Sequence, residues 1–142
     1  VLFDVLEHID DPVAFLESIG FHLKPGGCLM INVPAIPWLY SKYDKLAGHV
    51  QRYTPSSLKR QLNAAGFEVE KIKPWGMSMI PLLLIRKCIL YFCPDRQTIK
   101  VGIQPASPLM SRILDSMRRW ECSLFSSVPV GSSLMVMAKK RS

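Results

Sequence analysis

Apolar positions along the chain fall into short continuous runs separated by stretches of helical spacing. Val1-Leu2-Phe3 is an apolar stub that reads as the end of a buried strand. Asp11 and Pro12 predict a helix start, because Asp11 can accept from the free N–H groups of a first turn and Pro12 suits the first helical position. Phe15, Leu16, Ile19 and Leu23 then recur on one helical face. Ile9, just outside, is placed to staple back onto the first turn. Lys24-Pro25-Gly26-Gly27 closes the helix, and Cys28 to Val33 is a second, nearly continuous apolar run. Strand, helix, tight turn and strand imply a right-handed crossover between parallel strands. The fold class is therefore α/β.

The pattern then loosens. Pro34 to Tyr53 reads as a long irregular stretch holding Trp38, Tyr40, Tyr43, Asp44, His49, Arg52 and Tyr53, and loops of that length in a compact domain are often functional. Thr54-Pro55 predicts a helix carrying Leu58, Leu62 and Ala65 inward and stopping at Gly66, followed by a strand over Phe67 to Lys73 that ends at Pro74. Met77 to Cys93 is strongly apolar but interrupted by Pro81 and Arg86-Lys87, so it falls short of the roughly 20 apolar residues a membrane span needs. A buried or lid helix is the favoured reading. A helix lying in a membrane interface, with Arg86 and Lys87 at the headgroups, stands beside it.

Ser107-Pro108 predicts one more helix, with Met110, Ile113, Leu114, Met117 and Leu124 on one side and Asp115 opposite Arg118 and Arg119 on the other. Leu134 to Ala138 is a final apolar strand before a basic tail of Lys139, Lys140 and Arg141. Nothing divides residues 1–142 into two domains. Residues 77–126 form a helical insertion or lid before the last strand.

Composition changes this picture little. The 142 residues are 49% hydrophobic and 20% charged, which suits a packed core and excludes a disordered chain. The net charge of +7 comes from scattered pairs such as Lys59-Arg60 and Arg118-Arg119, with no basic groove interleaved with stacking aromatics, so no nucleic-acid partner is expected. Cys28, Cys88, Cys93 and Cys122 form no C-x-x-C pair and have no His at ligand spacing. They read as buried hydrophobes in a reducing, cytoplasmic setting, with peripheral membrane contact through residues 77–93 as the alternative, and no metal is expected. A chain that opens inside a buried strand predicts a missing amino-terminal half. It also predicts self-association through the uncovered strand edge.

Three blocks carry a resemblance. Asp4-Val5-Leu6-Glu7-His8-Ile9-Asp10-Asp11-Pro12, the spacing to Leu23-Lys24-Pro25-Gly26-Gly27, and the apolar strand after it resemble the region from the fourth strand onward in class I S-adenosylmethionine (SAM) dependent methyltransferases. Tyr43-Asp44, Gly48-His49-Val50-Gln51-Arg52-Tyr53-Thr54, then a helix ending Ala64-Ala65-Gly66-Phe67, is similar to the region after the fifth strand in one branch of that family. That branch commonly reads G-H-x-R-R-Y, and Gln51 stands where its first Arg would be. Gly131-Ser132-Ser133-Leu134 fits the family's ending.

The resemblance implies a partial Rossmann-like fold: strands four to seven with their helices, the last strand antiparallel beside the sixth. Ligands in such sheets sit at the carboxyl ends of the strands where strand order reverses. By resemblance, Asp4, Val5 and Leu6 lie along the methionine end of SAM, mostly through backbone. His8 is a base or an orienting group, and His49 and Arg52 face the acceptor, with Arg52 alternatively bracing its loop through Asp44. The implied activity is methyl transfer from SAM to a small or lipid-linked acceptor, with the isolated chain inactive. A non-catalytic binding module on a half-sheet is the alternative.

Overall fold

The computed structural model describes residues 1–92, 111–112, 115–117, 119–121 and 128–141. The expected helix over Ser107 to Leu124 lies partly outside the described residues: positions 107–110, Ile113, Leu114, Arg118 and Leu124 are among the residues not described, as are Cys93 and Cys122. Residues 111–112, 115–117 and 119–121 are helical.

Strands β1 (Leu2–Phe3), β2 (Cys28–Pro34), β3 (Phe67–Trp75) and β4 (Ser133–Lys140) form one sheet in the order β1-β2-β4-β3. β1 runs parallel to β2, and β4 is inserted antiparallel to both β2 and β3. Helices α1 (Pro12–His22) and α3 (Pro55–Ala64) are packed together, and their inward residues meet one face of the sheet. Leu16, Leu58, Leu62, Phe67, Ile31, Val33 and Val136 are fully buried there, each burial worth roughly 1.5–3 kcal/mol.

The caps follow the residue chemistry. The Asp11 carboxylate accepts from the Ala14 N–H at 3.1 Å, and the Thr54 hydroxyl accepts from the Ser57 N–H at 3.1 Å. Gly26 and Gly66 take positive φ where α1 and α3 hand over to β2 and β3.

Several expectations are corrected. Leu23 caps α1 rather than extending it. β3 continues through Pro74 to Trp75, which a strand at the end of the sheet order tolerates because a missing N–H there leaves no neighbour unpaired. β4 reaches Lys140, so most of the basic tail is strand: Lys140 pairs with Phe67, and its ammonium donates to the Leu23 carbonyl at 2.8 Å. Cys28 and Cys88 are exposed rather than buried, because Cys28 opens β2 and Cys88 lies on an outward face of a helix.

Pro34 to Tyr53 is more ordered than its sequence suggests. It contains a one-turn helix at Pro37–Leu39, the short α2 (Lys42–Leu46) and a parallel bridge between Ala35 and Tyr53. Met77 to Phe92 forms a turn at Met77–Met79 and then α4 (Ile80–Phe92), with Pro81 accommodated in the first turn. Gly131 lies so close to the Trp75 backbone that a Cβ would collide with it, which is why the entry to β4 needs glycine.

Candidate functional site

The carboxyl end of β1 leads into a one-turn helix over Leu6–His8. Asp4, at the bend, has φ 54°. Its N–H donates to the Asn32 carbonyl at 3.1 Å, and the Asn32 amide donates to the Asp4 carboxylate at 2.8 Å. The Trp75 indole donates in turn to the Asn32 side-chain oxygen at 2.9 Å. One buried amide set on β2 thus ties the β1 bend to the end of β3. Asp4 is exposed and Val5 half-exposed, whereas the Leu6 side chain is fully buried and its carbonyl accepts from the Tyr53 hydroxyl at 3.0 Å.

The second wall is the segment from Ser41 to Tyr53. Its centre is Asp44, which is fully buried. Asp44 accepts from Arg52 Nε at 2.8 Å and Nη2 at 2.6 Å, from the Ser41 hydroxyl at 2.8 Å and N–H at 2.9 Å, and from His49 Nδ1 at 3.2 Å. Burial pushes this carboxyl up, but the Arg52 guanidinium and the Ser41 donors outweigh it and hold Asp44 below the usual carboxylate range. Arg52 also donates to the Ala35 carbonyl at 3.1 Å, and the Tyr40 hydroxyl donates to the His49 carbonyl at 2.7 Å. Arg52 is therefore engaged in bracing the loop.

The two walls meet at three side chains. The His8 and His49 rings stand edge to face with centroids 4.8 Å apart. Glu7 is 1% exposed, and its backbone carbonyl accepts from the Val50 N–H at 2.7 Å. Burial raises the Glu7 carboxyl above its ordinary value; its own N–H pulls the other way, Asp4 adds to the rise, and His49 and His8 oppose it. Burial likewise raises Tyr53, with Glu7 adding to the effect.

Beside this junction lies an open cavity of about 420 Å³. Arg52 and Arg86 line it with His49 and the acid Asp115, while Tyr43, Trp75 and Leu83 give it an apolar wall. The Arg86 guanidinium sits 4.1 Å from the centre of the Tyr43 ring.

A family model described as "Methyltransferase domain" matches residues 1–72. The chain belongs to the methyltransferase-domain family. The family is that of class I SAM-dependent methyltransferases, whose cofactor is SAM. No curated protein matches the sequence.

Solved structures share the fold at low identity. They include phosphoethanolamine N-methyltransferase 2 from Haemonchus contortus in complex with SAM (15% identity, 99% of this chain, 32% of that chain, TM-score 0.53). A SAM-dependent methyltransferase from Mesorhizobium loti aligns with 15% identity over 97% of this chain and 59% of its own, TM-score 0.51. The cyclase SpnF aligns with 17% identity over 99% of this chain and 48% of its own, TM-score 0.53. The chain thus spans between about a third and three-fifths of these proteins' lengths. The Rossmann-like expectation for β1 to β4 holds, including the antiparallel last strand beside the sixth.

The bend at Asp4 and Val5 is the carboxyl end of a strand paired in parallel, with Asp4 exposed and Val5 half-exposed. Leu6 differs: its side chain is in the core and its carbonyl is engaged by Tyr53. His8 and His49 meet edge to face, and Asp44 links His49 to Arg52, the brace that the sequence offered as one reading of Arg52; the burial of Glu7 between them was not legible. The Ser41-x-x-Asp44 spacing of a capping box was the available signal for Asp44, and that box is present at the start of α2.

Proposed function

We propose that this chain forms the acceptor side of a SAM-dependent methyltransferase acting on a small or lipid-linked acceptor. The observation that carries the reading is the convergence of His8 and His49 at the carboxyl end of β1, next to a cavity with one polar, arginine-bearing wall and one apolar wall. SAM, when bound, supplies the electrophilic methyl group. Asp4 and Val5 line its methionine end. His8 Nδ1 faces the Gly48 carbonyl at 3.1 Å, an atom that can only accept, so a proton sits on Nδ1 and the neutral ring offers the lone pair of Nε2. That lone pair orients an acceptor hydroxyl or amine, or takes its proton. Arg52 acts by holding His49 and the loop through Asp44, while Arg86 and His49 face the acceptor's polar end.

The apolar cavity wall and the exposed apolar side of α4 support a hydrophobic or lipid-linked acceptor met at a membrane surface. No helix among the described residues is long and apolar enough to cross a membrane. The test is methyl transfer from labelled SAM to candidate acceptors, with SAM binding measured separately by equilibrium dialysis. His8→Gln should bind SAM normally and lose most of its rate; full rate in that variant would sink the role of His8. Arg52→Ala should lower thermal stability along with turnover, as expected of a brace.

A second reading rests on the edge of β1, which pairs only with β2 among the described strands. An unpaired edge flanked by apolar Leu2 and Phe3 suits a strand-adding partner or a second copy. Sedimentation as a single monomeric species across a hundredfold range of concentration would remove the second copy.

A further inference from the structure

We propose that Glu7, His8 and His49 hold a divalent transition-metal ion of the zinc type. One ligating atom from each of the three side chains lies within 4.8 Å of the others. The residues come from two separate segments, and they meet because the Val50 N–H and the Gly48 carbonyl clamp the loop to the turn at Glu7 and His8.

Three features of the cluster suit a cation. Both imidazoles are oriented by an acceptor on Nδ1: the Gly48 carbonyl for His8 at 3.1 Å and the Asp44 carboxylate for His49 at 3.2 Å. Neither acceptor can donate, so each ring carries a proton on Nδ1, which leaves Nε2 as the nitrogen that can ligate an ion. A carboxylate or carbonyl behind the ring is the support that metal-bound histidines usually have. The third feature is Glu7. It is 1% exposed, and its Oε2 is buried without a hydrogen-bond partner. A buried carboxylate oxygen with no donor is costly, and a cation beside it removes that cost. Two imidazoles and one carboxylate match zinc, iron or manganese better than magnesium or calcium, which prefer all-oxygen sets.

His49 also lines the 420 Å³ cavity, so an ion bound here would face the space assigned to the acceptor. The three protein ligands would leave at least one position open for an oxygen from water or acceptor. The metal site does not depend on methyl transfer, and its test reads the metal alone.

The chain is stripped with chelator and titrated with Zn²⁺, and with Co²⁺ as a spectroscopic stand-in. The expected result is one ion retained per chain after gel filtration, with visible Co²⁺ bands of nitrogen and oxygen ligation. Glu7→Gln, His8→Asn and His49→Asn should each weaken Zn²⁺ binding at least tenfold. Asp44→Asn should weaken it less, by loosening His49. His22→Asn, at the exposed end of α1, should leave it unchanged.

A thiolate-to-cobalt charge-transfer band, or Zn²⁺ binding abolished by alkylating the cysteines, would place the ion on sulfur and overturn the proposal. So would unchanged affinity in the three ligand variants, or no retained ion in the wild type. The Co²⁺ spectrum of the wild-type protein decides the matter even where a variant fails to fold. Failure of the metal test would leave the methyl-transfer reading standing with His8 as base or orienting group; a retained ion would take the His8 lone pair, and His8 would then position the acceptor through the ion rather than accept its proton.

Discussion

The Ser41–Tyr53 wall and the α4 helix both pack beside the same cavity, and they are held there by opposite means. The wall is anchored by buried polar groups: Asp44 fully buried, Arg52 5% exposed in its side chain, and Tyr53 1% exposed with its hydroxyl on Leu6. Helix α4 buries one large residue, Leu90, while Leu82, Ile85, Ile89 and Phe92 are exposed at helical spacing along one face. Among the described residues, polar contacts attach it at its edges. Lys87 donates to the Trp38 carbonyl, Arg86 rests on Tyr43, and the Glu121 carboxylate accepts from the Gly76, Met77 and Ser78 N–H groups at 2.7, 2.9 and 3.0 Å. A segment fixed by a buried ion pair has one permitted geometry. A helix with its greasy side outward is able to move or to meet another surface.

The sharpest way to break this contrast is at Asp44. Asp44→Ala removes the partner of a nearly buried guanidinium and leaves Ser41 and His49 without their acceptor. The expected loss is about 3–5 kcal/mol of folding stability, the usual cost of stranding one half of a buried pair. Chemical denaturation would read it directly. Loss of less than about 1 kcal/mol would mean that water reaches Arg52, and that the wall is no more rigid than α4.

Tyr53→Phe is the next largest. It deletes the donor to the buried Leu6 carbonyl and leaves Gln51 without the acceptor it now has at 3.0 Å. The expected cost is about 1–3 kcal/mol, read as a shift of the denaturation midpoint with an unchanged slope. The variant should also raise the exchange rate of amides around Leu6 and His8, because that bond ties the turn to the end of the loop.

Much of this was legible in the sequence, and the parts that were not share a cause. Helix starts at Asp11 and Thr54 and the breaks at Gly26 and Gly66 were readable because capping and positive φ are local chemistry. The order of strands and the antiparallel last strand came from the resemblance rather than from periodicity. What escaped was set by long-range geometry. The Asp44–Arg52 brace was one of two readings of Arg52, but nothing in the sequence showed that Asp44 is fully buried or that His49 and Ser41 share it. Glu7 stands in the sequence only as part of the D-V-L-E-H run, with nothing to show that the folded loop buries it to 1% exposure. The outward apolar face of α4 was hidden because an apolar run says how much greasy surface there is, not which side is covered.

At the α4 attachment a smaller effect is expected, and it depends on pH. Burial pushes the Glu121 carboxyl up, but the Ser78 hydroxyl and the Ser78, Met77 and Gly76 N–H groups outweigh it and hold it below its ordinary value. A carboxyl depressed in the folded state contributes stability that is present above its unfolded pKa and lost as pH falls through the folded one. Glu121→Gln should therefore be less stable than wild type at neutral pH, and the two midpoints should converge as the solution is acidified below the ordinary range of glutamate. A gap that persisted into acid would mean that Glu121 acts through packing rather than charge.

The smallest effect on stability is expected at the exposed face of α4, where it is the most informative. Ile85 is 57% and Ile89 48% exposed, so Ile85→Ser with Ile89→Ser should change folding stability by no more than about 0.5 kcal/mol per site. The same pair should carry much of any association with a lipid surface, since binding of an interfacial helix scales with the apolar area it inserts. Arg86 and Lys87 are turned towards Tyr43 and Trp38 rather than outward. The attraction should therefore depend weakly on anionic lipid and salt, unlike that of a helix with a basic rim. Co-sedimentation with neutral and anionic vesicles separates the cases. Binding to both that is lost in the double variant makes α4 the membrane-facing side of the cavity. Binding to anionic vesicles alone that survives in the variant moves the contact to the lysines of β3 and β4. An absence of binding to either removes the lipid-surface part of the acceptor reading and leaves a small soluble acceptor.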